Sequence, residues 1–232
     1  MDYFIYYGLT FIALIITILA QVFIFSSYSK YSKFKNVRGI TGHDAARHLL
    51  DKNGLNNVDI VEVNGYLTDH YDPSKKVIRL SSDVYQNDSI ASVAVACHEC
   101  GHAIQDKEGY MFMKIRAFLV PVVNFSSYAG YFAIVLGCLF GSLNLIWLGI
   151  IAEVVILLFQ LITLPVEIDA SKKALKELDY AHFLNSKELK QGKTMLIAAA
   201  LTYVASVAST LIQILRLVLI FGNRDDRWLN EK

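Results

Sequence analysis

The fold class this sequence predicts is an α-helical multi-span membrane protein with about four transmembrane helices and a small α+β unit. Three observations predict it. The chain has only 232 residues, yet 54% of them are hydrophobic, more than one soluble core of that size absorbs. The excess is gathered into four blocks of bilayer-crossing length. The stretch between the first and second blocks is polar and patterned like a small folded unit. The net charge is +1, and no nucleic-acid-like basic patch stands out, so no nucleic-acid partner is expected.

The first block, about Phe4 to Phe25, holds no charged residue. It opens after Asp2 and is followed by Lys30, Lys33, Lys35 and Arg38; a signal peptide has its basic residues at the other end, so the block is an anchor. The second runs from about Phe118 to Phe140, with Pro121 and Asn124 near a start expected to be broken. The third, about Leu143 to Val166, follows a turn of only Gly141-Ser142. The fourth, about Met195 to Phe221, is rich in Ala, Ser and Thr, the composition of helices that pack on other helices. Basic residues orient the spans. Lys30 to Arg38, and Lys172 to Lys193 between spans three and four, belong in the cytoplasm. The uncharged 141–142 turn belongs outside, as then does the tail with Arg224 and Arg227. The lysine-rich 172–193 face suits anionic headgroups. Three cysteines, one of them (Cys138) in a span, form no disulfide framework, in keeping with a reducing compartment.

Within the polar region, Thr41 reads as an N-cap, with Asp44 in the first turn of a helix that Gly54 closes. His43 and His48 lie about 140° apart on it and share no metal. The alternating, β-branched run Val58 to Val63 reads as a strand. Asn64-Gly65 reads as a hairpin turn to a second strand over 66–71, and Asp72-Pro73-Ser74 as a turn to a third over 76–80. Lys76 to Leu80 is either the candidate edge for adding an extended peptide as another strand or an ordinary strand covering the helix that follows. His70, between Asp69 and Asp72, reads as a turn-proximal structural residue in preference to a group behind the metal ligands or one that meets substrate. A helix from Ser89 to Gln105 follows, opened by Asp88-Ser89.

That helix carries His98-Glu99-Cys100-Gly101-His102. At about 100° per residue, with His98 at 0°, His102 lies near 40° and Glu99 near 100°. Two imidazoles one turn apart grip one zinc, and the carboxylate between them reaches a water on it. Such a water is acidified to a pKa of about 7, and Glu99 is placed to take its proton. Cys97 and Cys100 fall near 260° and 200°, beside Val93 and Ile104 on the apolar back. They are read as packing residues rather than as zinc ligands or a redox pair.

A catalytic zinc needs a third protein ligand and one open position. Glu167, in Leu164-Pro-Val-Glu-Ile-Asp-Ala-Ser171, stands at the cytoplasmic end of the third span, on the side and depth expected of the His pair. It is preferred over Asp169, which lies about 200° round the helix and faces away if Glu167 faces the metal. Small residues Ala170 and Ser171 permit close helix approach. Glu153 lies roughly 20 Å along the same helix from Glu167, too far to be a ligand, and reads as a pairing partner for Arg216 or a protonated acid. Oxyanion donors are sought at His182 or Tyr203.

With these residues assembled, the chain resembles the bacterial membrane zinc metallopeptidases of the YugP type. The resemblance is carried by Gly65-Tyr-Leu-Thr-Asp-His-Tyr-Asp-Pro73, Val77-Ile-Arg-Leu-Ser81, Ala96-Cys-His-Glu-Cys-Gly-His-Ala-Ile-Gln105 and Leu164-Pro-Val-Glu-Ile-Asp-Ala170. More distantly it is similar to the HtpX and CAAX-type membrane peptidases. There, the ligand Glu is followed four residues later by Asp, where this chain has Ser171. The resemblance implies a zincin-like (gluzincin) unit, one Zn2+ per chain held by His98, His102 and Glu167, and Glu99 as catalytic base. It also implies a peptide or membrane-protein substrate. The expected organisation is an anchor (1–26), a cytoplasmic zincin-like region (27–117), a transmembrane hairpin (118–166), a cytoplasmic segment with the third ligand (167–194), a last span (195–222) and a tail (223–232), all in the cell (inner) membrane. Two rival readings are a non-catalytic, zinc-stabilised membrane scaffold or assembly factor, and, less favoured for lack of internal repeats, a transporter.

Overall fold

The structure, a computed structural model, describes the backbone of residues 2–230 and the side chains of residues 4–222. The tail charges Arg224, Asp225, Asp226 and Arg227 thus lie outside the described side chains. The elements in order are α1 (Asp2–Tyr31), α2 (Gly42–Lys52), β1 (Asp59–Val63), β2 (His70–Asp72), β3 (Val77–Ser81), α3 (Ser82–Gln86), α4 (Ile90–Glu108), α5 (Met111–Phe140), α6 (Leu143–Ala181) and α7 (Ser186–Asn230). Helices α1, α5, α6 and α7 are each long and apolar enough to cross a membrane. Each of the last three begins or ends well beyond the apolar block that announced it. Helix α5 runs unbroken through Pro121, contrary to the expected break.

The chain divides into two compact units. One comprises residues 1–21, 115–164 and 202–232. Its large apolar side chains point outward: Phe4, Phe11, Phe118, Phe125, Tyr128, Leu139 and Leu158 are all more than half exposed, as expected where the solvent is lipid. Its cohesion comes from close backbone approach and a few hydroxyl bonds. A Cβ on Gly149 of α6 would stand 2.9 Å from the carbonyl oxygen of Gly130 on α5. Thr17 and Ser209 hydroxyls lie 2.9 Å apart, and Arg216 donates to Thr10 Oγ1 at 2.7 Å rather than pairing with Glu153.

The other unit comprises residues 22–114 and 165–201 and has an aqueous-type core around Leu49, Leu50, Ile78, Leu80, Ile90 and Val93. Thr41 caps α2 by accepting from the Asp44 N–H, and Ser89 caps α4 by accepting from the Ser92 N–H. Gly109 ends α4 in the left-handed conformation. The sheet order is β1-β3-β2, with β1 parallel and β2 antiparallel to β3. The expected Asn64-Gly65 hairpin is therefore absent. Residues 66–69 are drawn out of the sheet because Tyr66 packs against Phe25 and Tyr28, while Asp69 accepts from the Ser81 N–H and hydroxyl. The Asp72-Pro73-Ser74 turn does form, with Asp72 Oδ1 accepting from the N–H groups of Ser74 and Lys75. Strand β3, expected to offer a free edge, lies between its two neighbours; its backbone is already paired, and the open edges belong to β1 and β2.

Candidate metal centre

Helix α4 lays a buried apolar back against α2. Cys97 and Cys100 are fully buried there, with the Cys100 thiol toward the Ala46 carbonyl, and burial raises both thiol pKa values. The opposite face carries the imidazoles. His98, His102 and Glu167 present one ligand atom each, all within 4.8 Å of one another. The His98 Nε2 lies 3.3 Å and the His102 Nε2 3.5 Å from the same Glu167 Oε2. The two rings stand nearly perpendicular, at 82°, with centroids 4.8 Å apart. All three side chains are largely buried. The meeting of α4 and α6 is made possible by Gly101: a Cβ there would stand 2.4 Å from the Ala170 carbonyl oxygen.

Each imidazole turns its second nitrogen outward to a partner. His98 Nδ1 is 3.1 Å from the Ser171 Oγ, and His102 Nδ1 is 3.0 Å from the Gln105 Oε1. The Gln105 amide nitrogen donates to the Val166 carbonyl and to Asp169 Oδ2, both at 2.8 Å. Asp169, expected to face away, thus reaches the imidazole pair through Gln105.

Glu99 is buried beside this group without joining it. Burial pushes its carboxyl up to about 7, against the pull of the His98 charge and, more weakly, of the Tyr71 N–H; Glu167 and Asp69 push it further up. Strand β2 therefore runs alongside the carboxylate. His70, in β2 rather than a turn, donates from Nδ1 to the Thr68 carbonyl and turns its Nε2 to Arg79. His43 sits against Tyr85 and His48 against Phe183, away from the metal group.

A family profile described as "Putative neutral zinc metallopeptidase" matches residues 6–222. The chain belongs to this family. It is similar to the Bacillus subtilis (strain 168) protein named "Putative membrane protease YugP", with 45% identity over 218 residues covering 94% of this chain and 97% of that protein. No solved structure matches.

The zinc that this family's description implies fits the donor set. Donors held about 2.0–2.1 Å from a tetrahedral ion stand roughly 3.3 Å apart, the spacing seen from each Nε2 to the Glu167 oxygen. Two nitrogens and one oxygen leave one position for water or substrate. Glu153 lies outside the group. His182 follows the end of α6, 15 residues and thus about 22 Å beyond Glu167 along that helix, too far to donate to an oxyanion at the centre. Tyr203 belongs to the other unit and keeps only its sequence-based candidacy. The residues that sequence reasoning passed over are Gln105 and Gly101. Gln105 falls at about 340° on the wheel, about 20° from His98, and that shared face was the available signal.

Proposed function

We propose that the unit built from residues 22–114 and 165–201 is a zincin-like peptidase that hydrolyses peptide bonds in a peptide or membrane-protein substrate. One observation carries the reading: two Nε2 atoms and one carboxylate oxygen converge at ligand spacing with a fourth buried group, Glu99, next to them and outside the ligand set. His98, His102 and Glu167 would hold one Zn2+, which when bound supplies Lewis acidity and a water of lowered pKa. Glu99 accepts the proton of the attacking water and passes it to the leaving amine. Its burial beside the ligand set suits a base that must hold that proton between the two steps. Burial of the group excludes bulk water that would otherwise compete for the same proton.

The basic residues flanking α1 and between α6 and α7 support a cytoplasmic active site in the cell (inner) membrane, with the bilayer as the protein's other partner. The test is Glu99→Gln in purified, zinc-loaded protein with casein as probe. Hydrolysis is expected to fall by about 10²–10⁴-fold while zinc stays near one per chain. Undiminished cleavage removes Glu99 from its role. Wild-type protein that binds zinc without cleaving any unfolded substrate, and whose cellular role survives Glu99→Gln, supports the zinc-stabilised scaffold instead.

A further inference from the structure

We propose that Gln105 is the positioning residue of the metal centre, fixing the tautomer of His102 and tying the helix of the imidazoles to the helix of the acid. The inference rests on the zinc reading of His98, His102 and Glu167 but not on any hydrolytic step.

It follows from the chemistry of Gln105's neighbours. The Val166 carbonyl and the Asp169 carboxylate are acceptors only, and both lie 2.8 Å from one end of the Gln105 amide. That end must be the NH2 group, so the end 3.0 Å from His102 Nδ1 is the carbonyl oxygen. A carbonyl oxygen accepts only; His102 must therefore carry a proton on Nδ1, and in the neutral ring this leaves the Nε2 lone pair for a metal. An imidazole left to itself samples both tautomers, and only this one ligates through Nε2.

The same amide brackets the third ligand, because its two acceptors belong to the residue before Glu167 and the residue two beyond it. Gln105 is fully buried, so bulk solvent does not compete for its bonds. Its anchor is held in turn: Asp169 faces Lys173 at 3.6 Å, and Lys173 pairs with Glu108 of α4 at 2.8 Å. Two rungs thus join α4 to α6, at residues 105 and 108. A rotation of α6 that withdrew the Glu167 carboxylate would break the upper rung and strand a buried amide.

The test compares zinc affinity, by chelator competition, in Gln105→Leu, Gln105→Glu and the double variant Gln105→Glu/Asp169→Asn of the full-length protein in detergent. Gln105→Leu keeps the volume and removes the bonds; zinc is expected to bind about 10–100-fold more weakly, and the visible spectrum of the cobalt-substituted protein to change in intensity. Gln105→Glu keeps the acceptor for His102 but sets a carboxylate against Asp169, and loses affinity as well. Adding Asp169→Asn supplies a donor to the new carboxylate and is expected to recover most of that loss. Zinc affinity and cobalt spectrum unchanged in Gln105→Leu overturn the proposal, as does a double variant no better than Gln105→Glu. If the variants do not fold, 15N chemical shifts of the wild-type histidines without metal decide: a proton on His102 Nδ1 is expected, and a ring protonated on Nε2 alone overturns it. An active enzyme with Gln105-independent zinc binding defeats this inference alone. A Gln105-dependent zinc protein without hydrolysis defeats the peptidase reading alone.

Discussion

The two compact units solve opposite solvation problems. In the unit of 1–21, 115–164 and 202–232, apolar side chains face outward and cohesion rests on backbone contact at Gly149 and scattered hydroxyl bonds such as Thr17–Ser209. In the unit of 22–114 and 165–201, apolar side chains face inward, and the buried His102 and Gln105 of the metal centre are joined in a chain that ends on the half-buried Asp169. Lipid gives no hydrophobic drive between helices, so the first unit gains little from any single side chain. The second concentrates buried charge and polarity, each group of which is costly if left alone. Single substitutions should therefore be severe in one and mild in the other.

The sharpest break is expected at the acid. Glu167→Ala removes a ligand and should weaken zinc binding by more than about 100-fold, a larger loss than changes behind the ligands give; equilibrium dialysis measures it, and near-wild-type retention would remove Glu167 from the ligand set. Next comes the buried base. In metal-free protein, the Glu99 carboxyl is raised from 4.5 to about 7, so the folded state holds an extra proton between those values. That stabilisation is present below about pH 4.5 and is lost as pH rises through 7. Relative to Glu99→Gln, metal-free wild type should lose on the order of 3 kcal/mol between pH 5 and pH 8, read as diverging thermal midpoints; parallel midpoints contradict it.

Gly101→Ala forces a Cβ against the Ala170 backbone. About 1–3 kcal/mol of stability should be lost, with weaker zinc binding because α4 and α6 carry the ligands. Gly149→Ala meets comparable crowding in the other unit and should lower the melting temperature while leaving zinc affinity within about twofold, a specific check on the contrast drawn above. The smallest effect belongs to Thr17→Val, which deletes one interhelical hydroxyl bond and should cost about 0.6 kcal/mol. A loss several times larger would show that hydroxyl bonds matter more to the lipid-facing unit than its packing implies.

Much of this was legible in residues 1–232 because it depends on local period and composition. Four apolar blocks became four long helices; Thr41 and Ser89 became caps; a spacing of four set His98 and His102 on one face of α4; and two cysteines on the opposite face became core. These follow from the 3.6-residue turn and from the chemistry of each side chain, which the chain carries with it everywhere. The tertiary structure alone decided that β3 lies inside the sheet, since Asn64-Gly65 has a hairpin's local preference but the docking of Tyr66 on α1 and of Asp69 on Ser81 outweighs it. It alone decided that the half-buried Asp169 accepts from Gln105, because that buried amide, 64 positions earlier in the chain, needs acceptors for its NH2 group. Distant partners of this kind have no signature in local spacing: a carboxylate's direction on a helix is set by which buried group must otherwise go unpaired.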